Sequence, residues 1–406
     1  MNPRTLHRAA LLPILAAGLL SACSDQLPPS GVTPPELRLT VTPTNAFASI
    51  DGGSTHSCGL TSGGAAWCWG RNNVGQLGDS TAAATLVPVA VYQSGWTAFT
   101  QLSAGALHNC ALDSSGQAWC WGNNGDGRLG DGTTNLGLAP VQVLQGSIVF
   151  TSVSAGGAHT CGLDASGLAY CWGSNAYGQI GDNSNTFASA PVAVSMPGGG
   201  VTFSEIWAGD KHTCALDGSS GQAWCWGFGG DGAVGAGSFV GSKVPVAVSQ
   251  PGGVTFTSII TEYNHSCGLT SGGQGYCWGL NSSSQLGDST LTNRNTPVAV
   301  QQPGGLTFAS LITGSNATCG LDSSGQTYCW GNNGNGQLGI GSTTASRVPV
   351  AVSQPSGVTF GSIAAGSAFE CGLDGVGQTW CFGRNNWGQM GDGTTTQRTT
   401  PVAVSH

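Results

Sequence analysis

Ala155-Gly-Gly-Ala-His159-Thr-Cys161-Gly-Leu163-Asp-Ala-Ser-Gly167-Leu-Ala-Tyr170-Cys171-Trp172-Gly173 is the stretch from which the rest of the chain can be read. Variants of it recur so that a second cysteine falls at Cys68, Cys120, Cys171, Cys225, Cys277, Cys329 and Cys381, a period of about fifty-two residues. A repeat of that length overrides the two or three domains that 406 residues would otherwise suggest. Charged residues make up only 7% of the chain and glycine is abundant, yet thirteen tryptophans and periodic apolar runs argue for a packed β structure rather than disorder.

Of the fifteen cysteines, fourteen form local pairs: Cys58/Cys68, Cys110/Cys120, Cys161/Cys171, Cys214/Cys225, Cys267/Cys277, Cys319/Cys329 and Cys371/Cys381. Setting Cys110 opposite Cys120 places Leu112 opposite Ala118 and leaves Ser114-Ser115-Gly116 as a three-residue loop closed by a left-handed glycine. Most units keep that count; the fourth has one extra residue at Gly218-Ser-Ser-Gly221 and should carry a longer loop. One disulfide per hairpin is expected in an exported chain. Zinc is disfavoured, because no Cys-x-x-Cys occurs.

Each unit reads as four short strands. In the third they are Phe150–Val153, His159–Leu163, Ala169–Trp172 and Pro191–Val194, bounded by Gly, Ser, Asn and Pro turn signals. Trp119-Cys120-Trp121 carries large apolar groups on both faces of one strand, which requires sheet packed on each side. The fold expected is all-β, a seven-bladed propeller with one intra-blade disulfide per blade. Because the chain ends on a Pro-Val-x-Val strand, closure is expected to place Pro401–Val404 in the sheet begun by Phe47–Ile50.

The pattern Trp69-Gly70-Arg71-Asn72-Asn73-Val74-Gly75-Gln76-Leu77-Gly78-Asp79, with Ala-Gly-x-x-His upstream and Pro-Val downstream, resembles the regulator of chromosome condensation repeat. It recurs through residues 47–404, weakest at Gly232-Ala233-Val234-Gly235, and the resemblance implies the same seven-bladed propeller. The family's namesake exchanges nucleotide on a small GTPase through an inserted wedge. Here successive first cysteines lie 51 to 53 residues apart, leaving no room for one. A plant photoreceptor of the family senses light through Trp in Gly-Trp-Arg-His-Thr; the matching positions here, Gly105-Ala-Leu-His108 and Gly209-Asp-Lys-His212, lack that Trp. A secreted bacterial propeller of the same fold inhibits β-lactamases through one face, and that resemblance implies that the fold can act as an extracellular protein binder.

Residues 1–22 read as an export signal: Arg4, His7 and Arg8, then the apolar run Ala9–Leu20. Leu20-Ser21-Ala22-Cys23 resembles the bacterial lipobox, which implies cleavage before Cys23 and lipid on it. Residues 23–45, rich in proline, read as a tether, with a possible strand within 36–43, and 46–406 as the propeller. The expected location is the bacterial cell envelope, lipid-anchored at the outer membrane or cell surface. Removing Arg4 and Arg8 leaves nine basic against nineteen acidic residues, a poor match for nucleic acid.

No cofactor and no metal are expected. His56, His108, His159, His212 and His265 occupy one position on separate blades, with Ala317 and Phe369 replacing them in the last two, which favours a structural role. Asp79, Asp131, Asp182, Asp288 and Asp392 read as loop caps. Alternating strands put the Ala-Gly-x-x-His turns and the long Trp-Gly loops on one face, where residues differ between blades. Lys211, Glu262, Tyr263, Phe369 and Glu370 are assigned to its turns, and Tyr177, Phe187, Phe228, Phe239 and Trp387 to its loops. The expected activity is that of a monomeric, membrane-anchored scaffold binding a protein or glycan on that face. The alternative is a polysaccharide-acting hydrolase or lyase at the channel mouth, with Glu262 and Glu370 as candidate carboxylates.

Overall fold

The structure, a computed structural model, describes residues 46–405 apart from positions 94 and 96. The export signal, Cys23, the tether and the strand considered within 36–43 lie outside the described residues. Seven four-stranded antiparallel sheets follow one another in chain order. In the third blade the strands are Phe150–Ala155, His159–Asp164, Ala169–Gly173 and Ala188–Ala193, numbered here from the channel outward. Every blade carries its disulfide between its second and third strands, with the paired Cα atoms 4.1 Å apart.

The hairpin register is set locally. Cys110 faces Cys120 and Leu112 faces Ala118, while Gly116, at φ +78°, donates to Asp113 O at 3.1 Å. That left-handed conformation costs glycine nothing and any other residue a steric clash. In the fourth blade pairing extends to Asp217 and Gln222, around the longer loop.

The core is divided among the seams between blades. Trp172 is fully buried against Cys110, Cys120, Leu129 and Val143 of the preceding blade, and its ring lies 5.7 Å from Phe150 of its own. Trp69, Trp121, Trp226, Trp278 and Trp330 repeat this burial, and Phe382 takes the place in the seventh blade. Burying so large a ring on both sides of a sheet is what only radial stacking provides; truncating one to alanine would cost roughly 3–5 kcal/mol. The long loops are held from inside: Asn175 Nδ2 donates to Asp182 Oδ1 (3.1 Å) and Thr186 O (3.1 Å), while Asn175 Oδ1 accepts from Ile180 N (3.0 Å). Asp182 also accepts from Ser184 N at 2.9 Å, as a loop cap should.

Ring closure differs from the expectation. Arg398–Ala403 pairs with Thr379–Gly383 of its own blade, and Phe47–Gly52 with His56–Thr61 of the first, so no strand is exchanged. The first blade already owns a fourth strand, Thr85–Ala90, and therefore has no vacancy for the C-terminal strand. The ends meet face to face instead: Trp69 Nε1 and Ser57 Oγ both donate to Gln389 O at 2.9 Å, and Phe47 N donates to Gly377 O at 3.1 Å.

Candidate functional site

Meander topology gives the molecule two unlike faces. The disulfide hairpins and the inter-blade connections share one, tied by bonds such as Phe99 N to Gly64 O (2.9 Å). The short turns and long loops share the other, tied by Arg71 N to Thr55 O (3.0 Å).

On the loop face the third and fourth blades build one cluster. Tyr177, 44% exposed, meets Phe228 edge-on with centroids 5.3 Å apart. Lys211 Nζ stands 5.7 Å from the first ring and 6.0 Å from the second. Its charge is shared with Asp210 at 3.6 Å. An apolar corner of two edge-on rings topped by an ammonium suits an acidic or aromatic group on a partner. Across the seam between the seventh and first blades, Trp387 is 39% exposed under the Arg71 guanidinium, 4.8 Å from the ring centroid; Arg71 was missing from the sequence-based set. Phe187 and Phe239 are also exposed. Tyr263, 40% exposed and at φ +35°, stands where the short turns converge beside Asp210 and Glu262.

Two assigned residues are not on this surface. Phe369 is 1% and Glu370 2% exposed, because both lie in the strand Phe369–Asp374 rather than in the turn before it. Phe369 fills the position of the seam histidines. Glu370 takes the position of the polar residue that follows them, and its carboxyl approaches Gly314 of the sixth blade, which has Ala317 where the first, second and fourth blades set a histidine ring beside Gly53, Gly105 and Gly209. Burial, with the Glu262 charge second, pushes the Glu370 carboxyl well above the usual range, and its Oε2 has no hydrogen-bond partner. Glu370 cannot serve as an accessible catalytic carboxylate, so the hydrolase reading loses one of its two candidates.

The five histidines are all fully buried. His108 Nε2 lies 2.9 Å from Thr160 Oγ1 of the next blade, and that hydroxyl donates onward to Arg128 O at 2.8 Å. With its proton committed to the carbonyl, the hydroxyl accepts from the imidazole, so Nε2 carries hydrogen and Nδ1 is bare. The same relay runs from His159 to Thr213 and from His265 to Thr318.

From sequence, the central channel was reached only at its mouth, through Glu262 and Glu370, and not at the groups that line its interior. Side chains on its innermost strands hydrogen-bond the edge N–H groups of the next blade: Asp51 Oδ2 to Ala104 N (2.9 Å), Ser103 Oγ to Ala155 N (3.0 Å), Ser154 Oγ to Ala208 N (2.9 Å) and Glu205 Oε2 to Ile259 N (3.0 Å). Trp207, 36% exposed, occupies the register position opposite the first cysteine, where other blades have Asp51, Ser103, Ser154, Ile260, Ile312 and Ala364. Aligning units on that cysteine would have singled it out. Burial raises Asp51 to about 6. It also raises Glu262, well above the carboxylate range with help from the Asp51 and Asp210 charges, and Glu205.

A family profile described as the RCC1-like domain matches residues 139–406, and profiles of the regulator of chromosome condensation repeat match 47–76, 63–112 and 99–128. The chain belongs to the RCC1-like family. The ultraviolet-B receptor UVR8 of Arabidopsis thaliana is 27% identical over 87% of this chain and 81% of its own. The human E3 ubiquitin-protein ligase HERC2 is 30% identical over 83% of this chain but only 7% of its own length. Yeast RCC1, solved bound to Kap60, superposes with a TM-score of 0.74 at 18% identity, covering 89% of this chain and 86% of its own. At that identity the likeness establishes the fold. These similar proteins are a receptor, a ubiquitin ligase and a propeller solved in complex with another protein.

Proposed function

We propose that this RCC1-like propeller is a lipid-anchored scaffold of the bacterial cell envelope that binds a protein or glycan on its loop face. The observation that carries the reading is the Tyr177–Phe228–Lys211 cluster: two rings and an ammonium from two blades, half-exposed on a frame braced by a disulfide in every blade. Loops on a rigid scaffold order few side chains on binding, which lowers the entropic cost of association. The hairpin face, by contrast, carries short stereotyped turns. Support for the anchor comes from Leu20-Ser21-Ala22-Cys23 and from paired cysteines suited to an oxidising compartment.

Two experiments test it. Cys23→Ser should move the protein from the membrane to the soluble fraction; retention in the membrane without radiolabelled fatty acid on the wild type would dismiss the anchor. Cross-linking on intact cells, followed by capture, should recover a partner that the combined Tyr177→Ala, Phe228→Ala and Lys211→Ala variant loses. Equal recovery by that variant would remove the loop face from the proposal.

A further inference from the structure

The central channel holds a chemistry distinct from the loop face. Two connected compartments of about 560 and 220 Å3 share Asp51 and Trp207 in their walls. Glu205 lines the first and Glu262 the second, and no lysine, arginine or histidine lines either. The strand registers set these groups at successive levels. Glu205 pairs with Leu216, Asp51 and Trp207 pair with Cys58 and Cys214, and Glu262 pairs with His265. Each level is two residues beyond the last, roughly 7 Å along a strand. Between them runs an aliphatic wall that includes Leu102, Ile206, Ile260 and Ile312.

Three carboxyl groups at successive levels of the channel, hydrocarbon between them and an indole on the same strand as Glu205 form a pattern with no internal counter-charge. Glu262 accepts no hydrogen bond and makes no ion pair among the described residues, so nothing structural accounts for a carboxylate there. The hydroxyl of Thr313, 1% exposed and in the same wall, is also without a partner. A neutral sugar would leave hydroxyls unpaired against the aliphatic wall. A chain of methylenes bearing ammonium groups satisfies each feature: ammonium against carboxyls that ionise as it binds and release their protons to solvent, hydrocarbon against Leu and Ile, and a cation beside the indole.

We propose that the channel binds a linear aliphatic polyamine, its ammonium groups matched to Glu205, Asp51 and Glu262 and held against Trp207. Low positive charge in the walls and the narrow channel focus the field that would draw such a cation in. This site does not depend on the loop face, and either can fail alone.

The test is calorimetric titration of the full-length protein in detergent with spermidine, near neutral pH and at low ionic strength, with maltotriose as the neutral comparator. Saturable uptake of one spermidine per chain is expected, with Glu262→Gln and Trp207→Ala each weakening it by about tenfold, the equivalent of 1.4 kcal/mol. Glu262→Gln removes a group without structural bonds, and a thermal melt matching wild type would establish that it folds. No saturable binding, or spermidine binding unchanged in both variants, as adhesion to the surface aspartates would give, overturns the proposal. Maltotriose binding that is lost in Trp207→Ala, with none for spermidine, overturns it in favour of a sugar site.

Discussion

His56 Nε2 lies 2.8 Å from Asn109 Oδ1 across the seam between the first two blades, and Asn109 in turn donates to Gln76 O at 2.6 Å. The imidazole is thus a neutral donor inside a closed seam. Burial lowers its pKa to about 4, against a smaller opposing contribution from Asn109. The unfolded chain takes up a proton near pH 6.5, whereas the folded one resists until about 4. The seam's contribution is therefore whole above pH 6.5 and falls as pH drops towards 4, by about 3 kcal/mol. Urea unfolding at a series of pH values should show a flatter profile over that window in His56→Gln than in wild type. An identical slope would mean that His56 is not buried neutral.

Asp51 contributes with the opposite sign. Burial raises its folded pKa to about 6, so the folded state gains a proton before the unfolded state does at 3.8. Its contribution rises as pH falls from above 6 and is penalising at neutral pH. Asp51→Asn keeps an oxygen for Ala104 N and removes the charge. We expect a gain of about 1 kcal/mol at pH 7.5 and none at pH 4, read from denaturation midpoints. A loss at both would show that the second bond to Gly52 N, at 2.8 Å, outweighs the buried charge.

In six seams a tryptophan Nε1 donates to a carbonyl of the neighbouring blade, as Trp226 does to Gln179 O at 2.9 Å and Trp330 to Gln285 O at 3.0 Å. Phe382 has no such donor for the corresponding Gln337. Gly339 leaves the space beside Phe382 that Gly391 leaves beside Trp69. Phe382→Trp should therefore raise stability by about 1 kcal/mol, the net value of one hydrogen bond. A fall in the melting temperature would show that the seventh blade is shaped to exclude the larger ring.

Each disulfide closes a hairpin whose cysteines are 10 or 11 residues apart. Replacing Cys110 and Cys120 together with alanine should cost roughly 2–3 kcal/mol. Doing the same to Cys319 and Cys329, on a distant blade, should add independently within a few tenths of a kcal/mol. Peptide mapping of unreduced wild type checks the premise. Links between blades would break it.

The parts legible from residue spacing are those in which interacting groups lie close in the chain. Cys110 and Cys120 are ten residues apart around a loop that Gly116 alone can close, so register, bridge and turn follow from local geometry. The Trp on a two-faced strand demanded stacked sheets, and the repeat supplied their number.

Contacts made about fifty residues apart were a different matter. Closure could not be read because pairing Arg398–Ala403 with Thr379–Gly383 or with the first blade uses the same backbone groups; only the filled place at Thr85–Ala90 chooses between them. Phe369 and Glu370 were assigned to a turn, yet Phe369 stands where His159 opens its strand, and the strand Phe369–Asp374 buries both. Asp51, Trp207 and Glu262 stand on the first, fourth and fifth blades, and nothing local brings them together. They share a channel because the inner strands of a closed ring all face one axis, a juxtaposition that exists only once the blades have stacked.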